Sequence, residues 1–363
     1  MRILYGLCGE GKGHATRSLV VLEWLARHGH DVLAVASGQA YPMIAKGHPQ
    51  RRTLEIIGLS MHCTGGALDL AGSVEKNARQ LPELLARNAV AWEQAERFAP
   101  HAVVTDFDSF AWLFAQTRGL PVVSIDNAQV LPRCSHEAWL WSSRHGDGLR
   151  ALESFVRSKA PTARHYIVTS FFYPPLAPEC RGDTTLVPPI LRESVLECVK
   201  RAAPVRSSGE SVLVYKTASL DDASFLGALG AVSARFVVYG ASKGARMPAN
   251  CTRREPSTEG FMADLAASRA VIGNAGMSLL GEALAFGKPV YAVPVRGQYE
   301  QVLNACYLEQ LGYGAAADEL RASELSRFLA DTPRYAARIR GAPQHDGNAR
   351  LYGVLEELFG SYP

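Results

Sequence analysis

The fold class can be read from residues 2–36, which run RILYGLCGEGKGHATRSLVVLEWLARHGHDVLAVA. An apolar strand, Arg2 to Leu7, leads into a glycine-rich turn, Gly9 to Gly13. A helix follows from Thr16 to His28, with leucines recurring at helical spacing, and Asp31 to Ala36 form the next strand. Two parallel strands joined by a helix make a βαβ unit. The stretch therefore predicts an α/β protein with a parallel sheet.

The same alternation of strands and helices continues along the chain. Strands are predicted over 102–105, 121–125 and 165–169. After Pro188-Pro189 the pattern restarts. Further strands are predicted over 211–215, 236–239, 270–272 and 290–293. The second half therefore repeats the architecture of the first.

At 363 residues the chain exceeds what one hydrophobic core usually supports. We predict two Rossmann-like, doubly wound domains, residues 1–188 and 189–340. A last helix within 341–363 is expected to pack back on the N-terminal domain. Doubly wound domains bind ligands at the carboxyl ends of their strands, so the two domains are expected to face each other across a cleft.

Composition excludes several classes of protein. The chain is 47% hydrophobic and 20% charged with a net charge of +3, which argues against nucleic acid as a partner. No apolar run approaches the ~18 residues of a membrane-spanning helix. The seven cysteines are an odd number without a C-x-x-C pair, which favours free thiols in a reducing cytosol. A cytoplasmic protein is predicted, and a peripheral contact with the inner face of the membrane stays open.

Residues 273–288, GNAGMSLLGEALAFGK, predict an anion site. An apolar strand runs into a turn of small residues that opens a helix, and Pro289 follows its end. Small residues leave the backbone N–H groups of the helix start bare, and the helix dipole adds about 0.3–2 kcal/mol for an anion. Glu282 lies about one turn in, where a carboxylate can accept from a ribose diol. The run is typical of a nucleoside-diphosphate site.

The glycine-rich N-terminal loop fits two familiar nucleotide motifs poorly. Residues 6–12 match G-x-x-x-x-G-K, but a P-loop needs Ser or Thr next, and here Gly13 follows. The dinucleotide fingerprint G-x-G-x-x-G also fails, because Gly9, Gly11 and Gly13 give G-x-G-x-G. In a third interpretation the glycines leave room for a substrate beside His14.

His14 suits a general base near neutral pH, although a histidine that merely caps the turn would look the same. Asp106, at the end of a predicted strand, favours the base, because a carboxylate on the far imidazole nitrogen would fix its tautomer. Asp106 could instead cap the helix from Phe110, but Asp108 or Ser109 could do that. Asp106-Phe107-Asp108 is also a D-x-D triplet. We rank manganese binding there below the His–Asp pair and predict no metal site.

These motifs resemble the GT-B superfamily of nucleotide-sugar glycosyltransferases. Residues 8–17, CGEGKGHATR, resemble the G-E-G-x-G-H-x-x-R start of a bacterial and archaeal branch. That branch is related to the N-acetylglucosaminyltransferase of peptidoglycan lipid-intermediate synthesis and to the UDP-glucuronosyl/glucosyltransferases. Residues 273–289 resemble H-A-G-x-x-S-x-x-E-A-L-x-x-G-x-P, and residues 300–305, EQVLNA, resemble D/E/Q-Q-x-x-N-A. One departure is Asn274, where many relatives carry His.

The resemblance implies roles for individual residues. His14 would be the base and Asp106 its carboxylate partner. The other implied contacts are to the donor: the diphosphate turn, a ribose-binding acid, a pair holding sugar hydroxyls, an arginine at the domain junction and small or polar residues nearby. These donor-binding candidates are Gly11, Gly13, Asn127, Arg192, Thr217, Asn274, Ala275, Gly276, Met277, Ser278, Glu282, Glu300 and Gln301. Lys216 and Lys243 could assist the phosphate charge, but solvated lysines are expected there.

The resemblance implies an inverting, metal-independent glycosyltransferase that needs no cofactor. Its co-substrate would be a nucleoside-diphosphate sugar, with UDP or dTDP as the expected nucleotide. The acceptor would carry a hydroxyl on a lipid, a natural product or a saccharide. Two alternatives stay open. A nucleotide-sugar 2-epimerase of the same fold would need catalytic carboxylates in the cleft, and a non-catalytic nucleotide-sugar binder would need neither His14 nor Asp106.

Overall fold

The computed structural model describes residues 1–9, 11–47, 52–58, 62–64, 67–202, 209–216, 222–342 and 346–360. The chain divides into two compact units. Unit 1 comprises Met1–Arg192 and Gly347–Pro363, and unit 2 comprises Glu193–Asp346. The division thus falls shortly after the predicted boundary at 188–189, and the C-terminal segment groups with unit 1.

Unit 1 alternates strands and helices from the first residues onward. In chain order its elements are β1 (Arg2–Leu7), α1 (Lys12–Arg27), β2 (Asp31–Ser37), α2 (Ala40–Gly47), β3 (Arg52–Ile56), β4 (His62–Thr64), β5 (Ala67–Asp69), α3 (Leu70–Phe98), β6 (Ala102–Asp106), α4 (Ser109–Arg118), β7 (Val122–Asp126), α5 (Val130–Arg133), α6 (Ala138–Trp141), α7 (Gly146–Arg157), β8 (His165–Thr169), a short 3₁₀ helix (Pro178–Cys180) and β9 (Thr184–Val187).

Unit 2 repeats the alternation on a smaller scale. Its elements are α8 (Glu193–Ala202), β10 (Ser211–Tyr215), α9 (Asp222–Gly230), β11 (Arg235–Tyr239), β12 (Cys251–Arg254), α10 (Thr258–Ala267), β13 (Ser268–Gly273), α11 (Met277–Ala285), β14 (Val290–Ala292), α12 (Tyr299–Leu311), β15 (Gly314–Ala316) and α13 (Ala322–Arg340). The last helix of the chain, α14 (Asn348–Phe359), follows in unit 1.

Each unit is built on one parallel sheet. Unit 1 has seven strands in the order β3-β2-β1-β6-β7-β8-β9, and unit 2 has six in the order β12-β11-β10-β13-β14-β15. Strands β4 and β5 pair separately as an antiparallel hairpin. Two parallel α/β sheets confirm the predicted fold class. The strand order reverses between β1 and β6 in unit 1, and between β10 and β13 in unit 2, and such reversals open a crevice for ligands.

The start of α1 differs from the prediction. The helix begins at Lys12, so Gly13 and His14 belong to its first turn and not to the preceding loop. Glycine lowers helix propensity, which is why the sequence pattern delayed the start to Thr16. The first turn tolerates glycine, because its N–H groups have no partners within the helix.

The last helix packs on the core of unit 1. Leu351, Leu355 and Phe359 of α14 join the buried cluster that includes residues of β1, α1 and β2. The side chain of Asn348 also exchanges two hydrogen bonds with the backbone of Leu191, at 2.9 and 2.6 Å. None of the described helices has the length and apolar character that spanning a membrane would require. Every cysteine whose side chain is described is a free thiol.

Candidate active site

The structure brings His14 and Asp106 together at the strand reversal of unit 1. Strands β1 and β6 are parallel neighbours, and Leu7 lies opposite Asp106 in their register. Helix α1 starts just beyond β1 and carries His14 in its first turn. The imidazole Nδ1 lies 2.7 Å from Oδ1 of Asp106. The Asp106 side chain is fully buried, whereas that of His14 keeps 15% of its surface exposed.

Asp106 is held ionised by buried donors. Arg17 donates from Nε to Oδ2 at 2.8 Å and from a terminal nitrogen to Oδ1 at 2.6 Å. The Ser18 hydroxyl donates to Oδ2 at 3.0 Å. Burial alone would raise the pKa of Asp106, but the charges and hydrogen bonds of Arg17 and then His14 outweigh it and bring the pKa to about 2. The group is therefore a carboxylate at neutral pH.

The charge of Asp106 determines which imidazole nitrogen carries the proton. Nδ1 of His14 also lies 2.8 Å from a terminal nitrogen of Arg17, but that nitrogen donates to Oδ1 of Asp106 at 2.6 Å and does not need Nδ1 as an acceptor. An ionised carboxylate can only accept, so a protonated Nδ1 donates to Asp106, whereas an unprotonated Nδ1 would set its lone pair against those of the carboxylate oxygen. We assign the proton to Nδ1. Nε2 then holds the lone pair that a general base needs.

Arg17 links this pair to a third strand end, and the sequence reasoning assigned it no role. Its other terminal nitrogen donates to Oδ1 of Asn127 at 2.7 Å, just after β7. Arg17 lies three residues after His14, so both share one face of α1. That spacing, within the motif at residues 8–17, was the signal that could have identified it.

Asn127 lies in this cluster in unit 1. Only 4% of its surface is exposed. Its amide nitrogen has no hydrogen-bond partner within the described part of the chain. A buried donor without a partner calls for a water or ligand atom. Contact between Asn127 and a donor sugar stays a prediction.

The residues after Asp106 settle which acid caps α4. Phe107 adopts the left-handed region at φ 56°, rare for a non-glycine residue. Its ring stacks on the His14 ring at 6.0 Å between centroids. Asp108 is the N-cap of α4, with Oδ2 accepting from Ala111 N at 2.7 Å. The alternative in which Asp106 caps this helix is therefore wrong, because the left-handed turn presents Asp108 instead. Both acids of the D-x-D triplet accept from protein donors.

The glycines before His14 shape the loop. A Cβ on Gly9 would lie 1.9 Å from the Ser37 carbonyl oxygen, so only glycine fits there. Gly11 is the N-cap of α1 and takes a left-handed φ of 84°. Gly11 and Gly13 lie beside His14 in unit 1, and their role in donor binding stays a prediction.

In unit 2, the turn between β13 and α11 has a bare helix start. Ala275 takes a positive φ of 59°, and Gly276 is the N-cap of α11 without a side-chain hydrogen bond. A Cβ on Gly276 would meet nothing within 4 Å, so the space before the helix is open. Asn304 of α12 donates to the Ala275 carbonyl at 2.9 Å and holds the turn in shape. The first N–H groups of α11 are arranged as in anion sites.

The side chains around this turn are mostly buried. Asn274 donates its amide to the Val293 carbonyl at 2.8 Å, so part of its donor capacity goes to the fold. Met277 is buried and Ser278 is half-buried. Glu282 is buried in α11 near Tyr215, whose phenol pKa is raised by burial first and by the Glu282 charge second.

The other predicted donor residues lie in the first turn of α12, at the end of a segment of unit 1, or outside the described part. Gln301 accepts from Val295 N at 2.8 Å and pins the loop before α12, and Glu300 is half-buried in the first turn of that helix. Arg192 is half-buried at the end of the first segment of unit 1. Thr217 lies outside the described residues.

The expectation of a solvated Lys216 is wrong, whereas Lys243 is exposed as expected. Lys216 follows β10 at the strand reversal and is almost fully buried. Its ammonium lies 3.0 Å from Oδ1 of Asp222, at the start of α9. A buried ammonium is stable only with such a partner, and the partner comes from the next helix.

Comparison with known proteins gives one consistent family. Residues 1–333 match the model of a family described as glycosyl transferase family 1. A protein of Methanosarcina mazei described as an uncharacterized glycosyltransferase is 27% identical over 406 aligned positions, covering 99% of both chains.

Two solved structures share the fold. UGT2 of Phytolacca americana, complexed with UDP-2fluoro-glucose and pterostilbene, has a TM-score of 0.66 at 15% identity, over 99% of this chain and 100% of that one. Glycosyltransferase VinC, in complex with dTDP, has a TM-score of 0.63 at 14% identity, over 99% of this chain and 98% of that one. Together with the two parallel sheets, these likenesses confirm the GT-B class.

Proposed function

Because the chain belongs to glycosyl transferase family 1, we propose that this glycosyltransferase moves a sugar from a UDP- or dTDP-sugar to a hydroxyl acceptor, with inversion and without a metal ion. The observation that carries the proposal is the 2.7 Å contact between His14 Nδ1 and Asp106 Oδ1. The nucleotides are suggested by the UDP-sugar analogue and the dTDP bound to the two structural neighbours.

In this proposal His14 is the general base. Asp106 holds the proton on Nδ1, and Nε2 removes the proton of the acceptor hydroxyl. The acceptor oxygen forms a bond to the anomeric carbon as the bond from that carbon to the diphosphate oxygen breaks. A single displacement of this kind inverts the anomeric centre. The imidazolium that forms is stabilised by the Asp106 carboxylate, much as in other His–Asp pairs.

Arg17 has a distinct part in this chemistry. Its charge keeps the pKa of Asp106 at about 2, so the carboxylate stays ionised when His14 gains a proton. The proton therefore remains on the imidazole and does not pass to Asp106. Arg17 thus acts as a positioning residue, since its contacts are to His14, Asp106 and Asn127.

The leaving diphosphate is proposed to bind at the start of α11. The diphosphate gains negative charge as the sugar leaves, and the uncapped N–H groups beyond Gly276 can stabilise that charge in place of a metal ion. Glu282 would accept from the ribose diol, and Glu300 and Gln301 would hold sugar hydroxyls. Asn274 and Ala275 would act through the shape of the turn.

The test separates the base from the nucleotide site. His14→Ala should lower the transfer rate by about 10²–10⁴-fold, the usual contribution of a general base. UDP or dTDP should still raise the thermal unfolding temperature of the variant, since a ligand at 100 times its Kd adds about 2.7 kcal/mol. His101→Ala, at an exposed histidine of unit 1, is the matched control and should leave both unchanged.

Two outcomes would contradict the proposal. If nucleotide binding falls together with transfer in His14→Ala, His14 is structural. If the protein isomerises the donor sugar when no acceptor is present, it is a 2-epimerase.

A further inference from the structure

Unit 1 contains a cavity of about 560 Å³ whose lining residues all lie between Cys8 and Lys159. Its walls are mainly apolar and come from the end of β3 and from α3 and α4. The residues that make it apolar are Ile57, Leu84, Trp92, Phe107, Phe110 and Leu113. Pockets of about 300–1,000 Å³ are the size that binds small molecules.

The cavity lies one ring away from the proposed base. Phe107 forms part of its wall and stacks on the His14 imidazole with centroids 6.0 Å apart. Cys8, directly after β1, is also in the wall. The Phe107 ring is therefore the boundary that the cavity shares with the His14 imidazole.

One buried cation in the wall forms no direct ion pair with a described residue. Lys159 is only 8% exposed. Its ammonium lies 3.3 Å from the Ser109 hydroxyl and 5.0 Å from the ring centres of Phe107 and Phe155. An ammonium has three donors, and the Ser109 contact is its one hydrogen bond to the described residues. Burying a charge with donors unfilled is costly, so the site is suited to an anionic group.

The acids in the wall already have other partners. Asp108 Oδ2 accepts from Ala111 N, and no ion pair joins Asp108 to Lys159 among the described residues, although the Lys159 charge acts on Asp108 from a distance. Glu93 is paired with Arg97, and Glu96 is paired with Arg118. The charges of both glutamates are thus compensated by arginines. Lys159 is the group in the wall with spare capacity for an anion.

We propose that this cavity binds an apolar acceptor that carries an acidic group, and that Lys159 binds that group. The apolar walls hold the body of the molecule, and its hydroxyl extends past Phe107 to His14. The acceptor role rests on the proposed function, whereas the preference of the cavity for apolar anions does not.

Two dyes with one skeleton test the preference. 8-Anilinonaphthalene-1-sulfonate and N-phenyl-1-naphthylamine differ only in the sulfonate, and both fluoresce when bound in apolar sites. The wild-type protein should bind the sulfonate more tightly. Lys159→Met should weaken sulfonate binding by about tenfold or more and leave the neutral dye within twofold. Lys46→Met, at an exposed lysine of α2, is the control and should change neither.

A blocking variant ties the dyes to the cavity. Ala89 of α3 lines the cavity, and Ala89→Trp should abolish binding of both dyes. Thermal unfolding verifies that each variant folds, and Lys159→Gln replaces Lys159→Met if the latter does not. Dye binding that survives Ala89→Trp, or an unchanged preference for the sulfonate without Lys159, would overturn the inference.

The two proposals fail in different ways. If the wild-type protein shows no preference for the sulfonate over the neutral dye, the proposal of an acidic acceptor is refuted. The His14 experiment is not affected by that result. A protein that binds the sulfonate through Lys159 but transfers no sugar would overturn the proposed function alone.

Discussion

The two candidate sites at the strand reversals of this protein are built in opposite ways, although unit 2 also buries one ion pair there, Lys216 with Asp222. Between β1 and β6, unit 1 buries charge, with Arg17 and Asp106 in direct contact beside His14. Between β10 and β13, the turn that leads into α11 has no ionisable side chain from Asn274 to Ser278. Its helix starts at Gly276 without a side-chain cap.

The contrast follows from what each place is proposed to do. A histidine that acts as a general base must carry its ring proton on the nitrogen that faces away from the substrate. Buried charges in contact with the ring can hold the proton there. A diphosphate site must accept a large anion, and free backbone N–H groups do so without an acid that would repel it. The first arrangement depends on every partner being present, and the second depends on side chains being absent.

Removing Asp106 should have the largest effect on stability. Asp106→Leu leaves the buried Arg17 guanidinium unpaired and should cost about 3–5 kcal/mol of unfolding free energy. Adding Arg17→Met should restore most of that loss, because two apolar side chains can replace a buried ion pair. Urea unfolding of the single and double variants measures both. Effects that simply add would show that the pair is not coupled.

Asp108 should make the stability of unit 1 depend on pH. Burial raises its pKa to about 6 and outweighs the Ala111 N–H and the Lys159 charge. An unfolded aspartate has a pKa of about 3.9, so the folded protein keeps a proton that the unfolded chain releases between about pH 4 and 6. This stabilises the fold below pH 4 and is lost as the pH rises through 6, to a limit of about 3 kcal/mol.

Asp108→Asn isolates that effect. An asparagine can still accept from Ala111 N and cap α4, but it does not ionise. The variant should therefore gain unfolding free energy over the wild type between pH 4.5 and 7.5. Urea unfolding at the two pH values gives the difference. A difference that stays constant with pH would refute the raised pKa.

In unit 2, Asn304 should matter through the shape of the turn. Asn304→Leu removes the hydrogen bond to the Ala275 carbonyl and should cost about 1–3 kcal/mol. The stabilisation by UDP or dTDP should also fall, because the turn loses its support. Asn250→Leu is the matched control, since Asn250 also donates to backbone carbonyls in unit 2. It should lose stability but keep the nucleotide response, and an equal loss of response in both variants would speak against the turn.

Substitutions of Gly276 should give the smallest change in stability. An acidic side chain there should stabilise the fold but weaken nucleotide binding. Gly276→Asp and Gly276→Asn both add a side chain that can cap α11, and each should stabilise the fold by about 0.3 kcal/mol. Only the aspartate carries a charge that repels a diphosphate. Thermal unfolding with and without UDP should therefore show a weaker nucleotide response for Asp than for Asn. Equal responses would place the diphosphate elsewhere.

The strands that the sequence pattern missed share one property. β3, β9, β12 and β15 are all sheet edges, whereas the interior strands of both sheets were predicted. Interior strands of a parallel sheet are buried on both faces and read as continuous apolar runs. Edge strands have a neighbour on one side only, and β12, with the sequence CTRR, shows how polar such a strand can be. The hairpin of β4 and β5 also escaped detection, since its strands span only three residues each.

The candidate site divides in the same way. His14, Asp106 and the turn at Gly276 were identified because each lies in a short motif or at a strand end. The contacts of Arg17 were not, because Asp106 lies 89 positions away and Asn127 lies 110 positions away. The uses of Lys216 and Asn274 within the fold were missed as well, since their partners Asp222 and Val293 belong to other elements.

Local order therefore followed from the amino-acid sequence: the βαβ alternation, the two-unit plan and the bare helix start, with His14 as the candidate base. These features depend on side-chain periodicity and on backbone sterics within a few residues. The three-dimensional packing determined which charges are buried and with whom, which acid caps α4, and where a cavity with a lysine in its wall forms. Burial and pairing depend on residues that only the order of strands in the sheet brings together.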